Sequence, residues 1–156
     1  MDKAVNHKAK PVWNLLLVKA QNQVRQAQIV LSNVYHQRQQ ALQRSEQIDQ
    51  LLIEYRQYLY DLQQRSQNTA EANNYRQFIV HLQTIRSRAK SVIESLEQDC
   101  KQARERLQAV DSERLKVESL AQRDAEQQRK TIASQQSKLL EAENILRHNN
   151  SQTRKS

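Results

Sequence analysis

Glycine is absent from this chain, and proline occurs once, at Pro11. Tight turns and most sheet folds depend on those two residues, so their absence argues against a multi-turn or sheet-rich fold. It also removes any glycine-rich phosphate-cradling loop, since such loops bring backbone amides up to a phosphate only where no side chain intervenes. A single cysteine, Cys100, excludes an internal disulfide and fits a reducing compartment. Aromatic residues make up 4% of the chain, and mean hydropathy is −0.95. So little apolar material does not fill a layered core, but it suffices for one narrow seam along long helices.

Long apolar runs are missing as well. Leu15–Val18 follows several lysines but is far shorter than the roughly 7–15 residues of a signal-peptide core. No stretch approaches the roughly 20 apolar residues of a membrane span. A soluble, cytoplasmic protein is expected.

What is abundant is Gln, Glu, Arg, Lys and Ala, all good helix formers. The net charge is +8, with a pI near 9.8. That excess suits an acidic partner, whether nucleic acid or protein. It equally suits the solvated outer face of a long helix. It is spread evenly along the chain, with part of it at the two ends, in Lys3, Lys8 and Lys10 and in Arg147, Arg154 and Lys155.

From Trp13 a seven-residue repeat runs with alternating steps of four and three. Its seam passes through Leu17, Ala20, Val24, Ala27, Leu31, Val34, Ala41, Ile48, Leu52, Tyr55, Leu59 and Leu62, broken only by Arg38 and Ser45. A heptad sustained this long marks a coiled coil. A second repeat starts at Tyr75 and passes through Ile79, Leu82, Ala89, Ile93, Leu96, Cys100, Ala103, Leu107, Val110, Val117 and Ala121, interrupted by Arg86 and Arg114. It then decays at Asp124 and Gln128 and resumes loosely through Ile132, Leu139, Ala142 and Leu146.

Between the repeats lies a polar stretch with Ser66, Asn68 and Thr69, residues that compete locally for backbone hydrogen bonds and favour turns. The expected fold is therefore all-α: two long helices in an antiparallel coiled-coil hairpin, the second longer. Residues 1–10 form a flexible basic tail, 11–148 the hairpin with its turn near 66–73, and 149–156 a second flexible basic tail. With the turn centred near residue 70, seam partners sum to about 140. Leu62 then faces Phe78, Tyr55 faces Ile85, Leu31 faces Val110 and Ala20 faces Ala121, and the second seam fades where the first helix runs out.

No catalytic constellation is expected. None of His7, His36, His81 and His148 pairs at i, i+4 with another histidine or with Cys100, so neither a metal site nor a cofactor is implied. Cys100 falls on the seam, where a buried small hydrophobe fits better than a nucleophile. Arg38, Arg86 and Arg114 read as polar seam positions whose stems pack while their heads reach carboxylates. For Arg38 the fold-back nominates Asp99 and Glu105.

The turned end differs from the rest. Five of the seven aromatic residues, Tyr55, Tyr58, Tyr60, Tyr75 and Phe78, gather within Leu51–Leu82. Phe78, Leu82, Ile85 and Ala89 share one helix face. An apolar-aromatic patch at the end of an otherwise polar hairpin suits partner docking, though the same residues would also serve to broaden the seam.

Glu54-Tyr55-Arg56, followed by a turn and then Asn74-Tyr75-Arg76-Gln77-Phe78-Ile79 with Leu82, resembles the FliJ family. These are small coiled-coil proteins of the bacterial flagellar type III export apparatus, tied to motility and chemotaxis. The resemblance implies a non-catalytic two-helix antiparallel coiled coil like the rotor stalk of rotary ATPases. One end would enter the ring of the export ATPase, and another surface would contact the cytoplasmic domain of the export gate, a membrane protein. Export chaperones are further implied partners, and the inner membrane would be reached only through partners. By position, the gate-binding face is Ile48, Leu51, Tyr55, Phe78, Leu82, Ile85 and Ala89. Leu51 stands where the family carries an aromatic, and Ala89 where it carries a polar residue. Trp13, Ile132, Leu139 and Leu146 are the candidates for the ATPase-facing end. The equivalent stalk of a virulence injectisome is the nearest alternative. A basic rod for nucleic acid is another, but the chain has no aromatic-basic stacking groove of the kind that nucleic acid needs.

Overall fold

The computed structural model describes residues 11–65 and 69–155. Two helices account for nearly all of it: α1, Pro11–Arg65, and α2, Thr69–Thr153. No strand occurs among the described residues. The expected two-helix fold with a longer second helix is what forms. The tail expected over residues 1–10 lies outside the described residues.

Neither helix has an internal breaker, which is why they run 55 and 85 residues unbroken. Pro11 opens α1, where the proline ring loses no helical hydrogen bond. Arg65 sits in the last turn of α1 and Glu71 in the first turn of α2, each matching the sign its helix end favours. The connection is shorter than residues 66–73, since Thr69 onward is already helical. At the other end α2 continues past residue 148 to Thr153. There the Ser151 hydroxyl donates to the His148 carbonyl at 2.8 Å, and the Thr153 hydroxyl to the Asn150 carbonyl at 3.0 Å.

The described residues fall into two compact units. Arg25–Ala109 is an antiparallel pair of helix segments joined by the turn. Its tightest cluster is Leu52, Ile79 and Leu82, with Ile48, Tyr55 and Leu59 packed against it. Leu52 is 2% and Leu82 4% exposed, so each contributes about 1.5–3 kcal/mol by burial. Further along, the buried seam is made of small residues, Ala27, Ala41, Cys100 and Ala103, which permit close approach of the helices.

The cross-helix contacts fix the register. Asp49 meets Arg86 at 2.7 Å and Arg38 meets Glu97 at 3.7 Å, each pair summing to 135, while Tyr55 stacks on Phe78, a pair summing to 133. The repeat predicted about 140, so the true pairing is displaced by about one heptad. The physical reason is that a slip of seven residues puts every seam residue back on the seam, so the repeat alone cannot choose between the two registers. The early start of α2 at Thr69 chooses, and it brings Ala72 into the buried seam. Arg38 accordingly pairs with Glu97 rather than with Asp99 or Glu105. The Arg104 guanidinium donates to the Tyr35 hydroxyl at 3.2 Å, which raises its pKa above the ordinary arginine value.

The other unit combines the start of α1, up to Val24, with α2 from Val110 onward. Ala20, Val24, Val110 and Ala121 are buried in it, and Trp13, Leu17 and Val117 are half-buried. Arg114 stays within its own helix, bonding Asp111 at 3.0 Å and Glu118 at 2.9 Å. After Ile132 every described residue is exposed.

Candidate partner-docking face

All seven residues of the expected gate face lie in Arg25–Ala109. They do not play one role. Leu82 is closed off behind Leu52 and Ile79 and holds the helices together. Ile48 and Tyr55 pack on that cluster and are half-buried. Leu51 and Phe78 are the exposed members, each at 38%. The seam repeat explains the division: Leu52 and Leu82 are seam positions, Leu51 sits one residue off it, and Phe78 sits one residue before Ile79.

Tyr55 is the centre of an aromatic group. Its ring lies 4.4 Å from Phe78, 5.6 Å from Tyr58 in an edge-on arrangement and 5.9 Å from Tyr75, and Tyr58 and Tyr75 are 6.4 Å apart. Such spacings are favourable for ring quadrupoles and add about 0.5–1.5 kcal/mol per pair beyond burial. The group therefore stiffens the end of the pair while leaving Phe78 and Tyr58 partly in solvent. Tyr60 and Ile53 are still more exposed, at 58% and 61%, and carry the apolar surface to other faces of α1.

Ile48, Ile85 and Ala89 line a groove of about 230 Å³ together with Ala41, Arg44, Arg88 and Val92. The groove exists because the seam is thin there. Ala41, Ser45 and Ala89 leave space that a leucine would fill. Of its lining, Ala41, Arg44, Arg88 and Val92 were not foreseen. The signal was present in the run of small seam residues, but it reads as a groove only once the register is known.

Trp13, Ile132, Leu139 and Leu146 belong to the other unit. Trp13 and Ile132 are half-buried, whereas Leu139 and Leu146 are exposed at 66% and 63%, beside Leu140 and Ile145 at 60% each. That end of α2 is an amphipathic helix with its apolar side uncovered.

Cys100 is a free thiol at 2% exposure, packed as a seam residue. Among the described residues no three His, Cys, Asp or Glu stand together as a metal site would need. No helix among them is long and apolar enough to cross a membrane.

Compared with known proteins, residues 13–152 match a family model described as the flagellar FliJ protein. No curated protein and no solved structure matches the chain. The matched span takes in most of both helices, including the candidate docking face and the exposed end of α2.

Proposed function

The chain belongs to the FliJ family of flagellar type III export components, and on that premise we propose that it acts as a stalk between the export ATPase ring and the export gate. It acts by binding rather than by catalysis, and its further partners are export chaperones. It meets the inner membrane only through the gate. The face around Leu51, Tyr55 and Phe78 takes the cytoplasmic domain of the gate. The end bearing Trp13, Ile132, Leu139 and Leu146 takes the ATPase.

The observation that carries this reading is the exposure of Phe78 and Leu51 beside the rigid aromatic group of Tyr55, Tyr58 and Tyr75. Partly exposed aromatic and aliphatic anchors on a stiff support are what binding hot spots are made of.

The test is a Leu51→Ala, Phe78→Ala double variant. Both side chains are peripheral to the buried cluster, so helicity should be kept. Binding to the gate's cytoplasmic domain should weaken by at least tenfold and motility should fall, consistent with hot-spot losses above about 1.4 kcal/mol. Unchanged gate binding with the fold intact removes the gate assignment.

A further inference from the structure

We propose that two ion pairs across the helices, Arg38–Glu97 and Asp49–Arg86, lock the hairpin of Arg25–Ala109 against a slip of one heptad. They act beside the length of the connection, as a second determinant of the register. The lock is a matter of packing and charge within one unit and does not depend on what the docking face binds.

The need for a lock comes from the seam. Between Arg25 and Ala109 its buried residues are small or aliphatic, and moving one helix by seven residues exchanges one of them for another. Apolar packing is therefore a poor judge between neighbouring registers. Arg38 and Arg86 are the charged residues on the seam in this unit, and a slip does change what they face.

In the observed register each of these arginines meets an acid. Arg38 lies 3.7 Å from Glu97, and Arg86 lies 2.7 Å from Asp49. The facing atoms of the second pair, Asp49 Oδ1 and Arg86 Nε, are shut off from solvent, which limits the screening of that pair by salt. Arg104, one heptad beyond Glu97, is held away from Arg38 by donating to the Tyr35 hydroxyl at 3.2 Å.

Either neighbouring register undoes this matching. A slip of seven residues toward a longer connection carries Arg38 from Glu97 to Arg104 and Arg86 from Asp49 to Arg56, and it leaves Asp49 against Ile93. A slip the other way carries Arg38 to Lys90, Arg86 to Leu42 and Asp49 to Ile79. Arg38 faces a cation in both, and Asp49 faces an isoleucine in both. Partly exposed ion pairs stabilise a fold little in themselves. Register depends instead on a difference, in which attraction in one alignment and repulsion or an unpaired charge in the others add together. Arg114 is the contrast. Its two acids, Asp111 and Glu118, stand on its own helix and travel with it through any slip, so that cluster is blind to register.

The experiment measures the distance between spin labels replacing Gln43 and Gln77 in the full-length chain with Cys100→Ser. Both positions are exposed and off the seam. They are offset along the axis, so a slip toward the longer connection lengthens the distance by about 10 Å and a slip the other way shortens it by about as much. The native charges should give one distance. Asp49→Asn with Glu97→Gln removes the lock and should add a second population displaced by about 10 Å. Adding Arg56→Glu and Arg104→Glu rebuilds both pairs one heptad along and should make the longer distance the major one. Arg88→Glu with Lys101→Glu makes the same charge reversal at outer positions and should leave the distance unchanged. A single unshifted distance in the four-fold variant, with helicity retained by circular dichroism, overturns the proposal. If that variant loses its helicity, Asp49→Asn with Glu97→Gln decides, and one native distance there overturns the proposal equally. An equal shift in the outer-charge control also overturns it, because net charge rather than the seam pairs would then set the register.

Discussion

Leu82 and Phe78 sit four residues apart on one face of α2, yet they answer to different physics. Leu82 is 4% exposed within the Leu52–Ile79 cluster, and Phe78 is 38% exposed with one side of its ring against Tyr55. Leu82→Ala should cost about 2–4 kcal/mol by leaving a cavity in the cluster. Phe78→Ala should cost clearly less, because its ring is already partly hydrated. Urea unfolding followed by circular dichroism separates the two, and equal losses would contradict the division of roles drawn here. Position-by-position resemblance placed both residues on one binding face, and only burial separates support from contact. The Asp49–Arg86 pair makes a second residue-scale case. Arg86 Nε and Asp49 Oδ1 are shut off from solvent at the tips and have no partner other than each other, at 2.7 Å. Asp49→Ala leaves the Arg86 donor unpaired beside the seam and should cost about 1–3 kcal/mol. Adding Arg86→Met to that variant should recover much of the loss, since an apolar side chain suits the seam position better than an orphaned cation. A double-mutant cycle in urea checks both statements.

At the scale of the helices, what was legible was the seam, and what was not was its phase against the partner. In α1, every position from Trp13 to Leu62 named by the repeat is buried or half-buried, and so is every position from Tyr75 to Ala121 in α2. A period of seven identifies faces, because burying a narrow apolar stripe is the main gain these helices have. The same period is blind to a slip of seven. The deciding information lies in the few residues of the connection, where the types of Ser66 and Asn68 permit a turn without fixing its length. Spin labels test the register in a Cys100→Ser background. The pair at positions 49 and 86 should give a short distance. The pair at 49 and 93, adjacent in the alternative register, should lie about 10 Å farther along the axis. A reversed order of the two distances would restore the register first read from the repeat. The groove shares this history: Ala41, Ser45 and Ala89 were visible as small residues, but their meeting across the helices was not visible until the phase was set.

For the molecule as a whole, the two units differ in how much apolar surface they leave uncovered and where. In Arg25–Ala109 one group of exposed apolar residues, Leu51, Tyr58 and Phe78, stands at an aromatic support, and Ile29, Val30 and Val92 lie away from it, while in the other unit they stand at the start of α1, at Leu115 and Leu120, and on α2 beyond Ile132. A helix whose outer turns bury nothing has only its intrinsic propensity and its end caps to hold it, which is a marginal basis in water. Amides of residues 133–155 should therefore exchange with solvent much faster than those of residues 75–110, as read by hydrogen exchange. The ATPase reading predicts what changes when the partner is added. Leu139, Leu140 and Leu146 are the side chains available for a hydrophobic contact there, and protection of residues 133–155 should rise on adding the export ATPase. Leu139→Gln with Leu146→Gln should remove that protection and weaken ATPase binding by on the order of a hundredfold or more, since two well-buried apolar contacts are together worth about 3 kcal/mol or more. Both positions are exposed in the free chain, so stability and gate binding should be unchanged. Loss of gate binding in this variant, with ATPase binding intact, would exchange the two ends' assignments. The separation of the two effects is the measurement that tells a stalk with two distinct contact surfaces from a chain that docks through one.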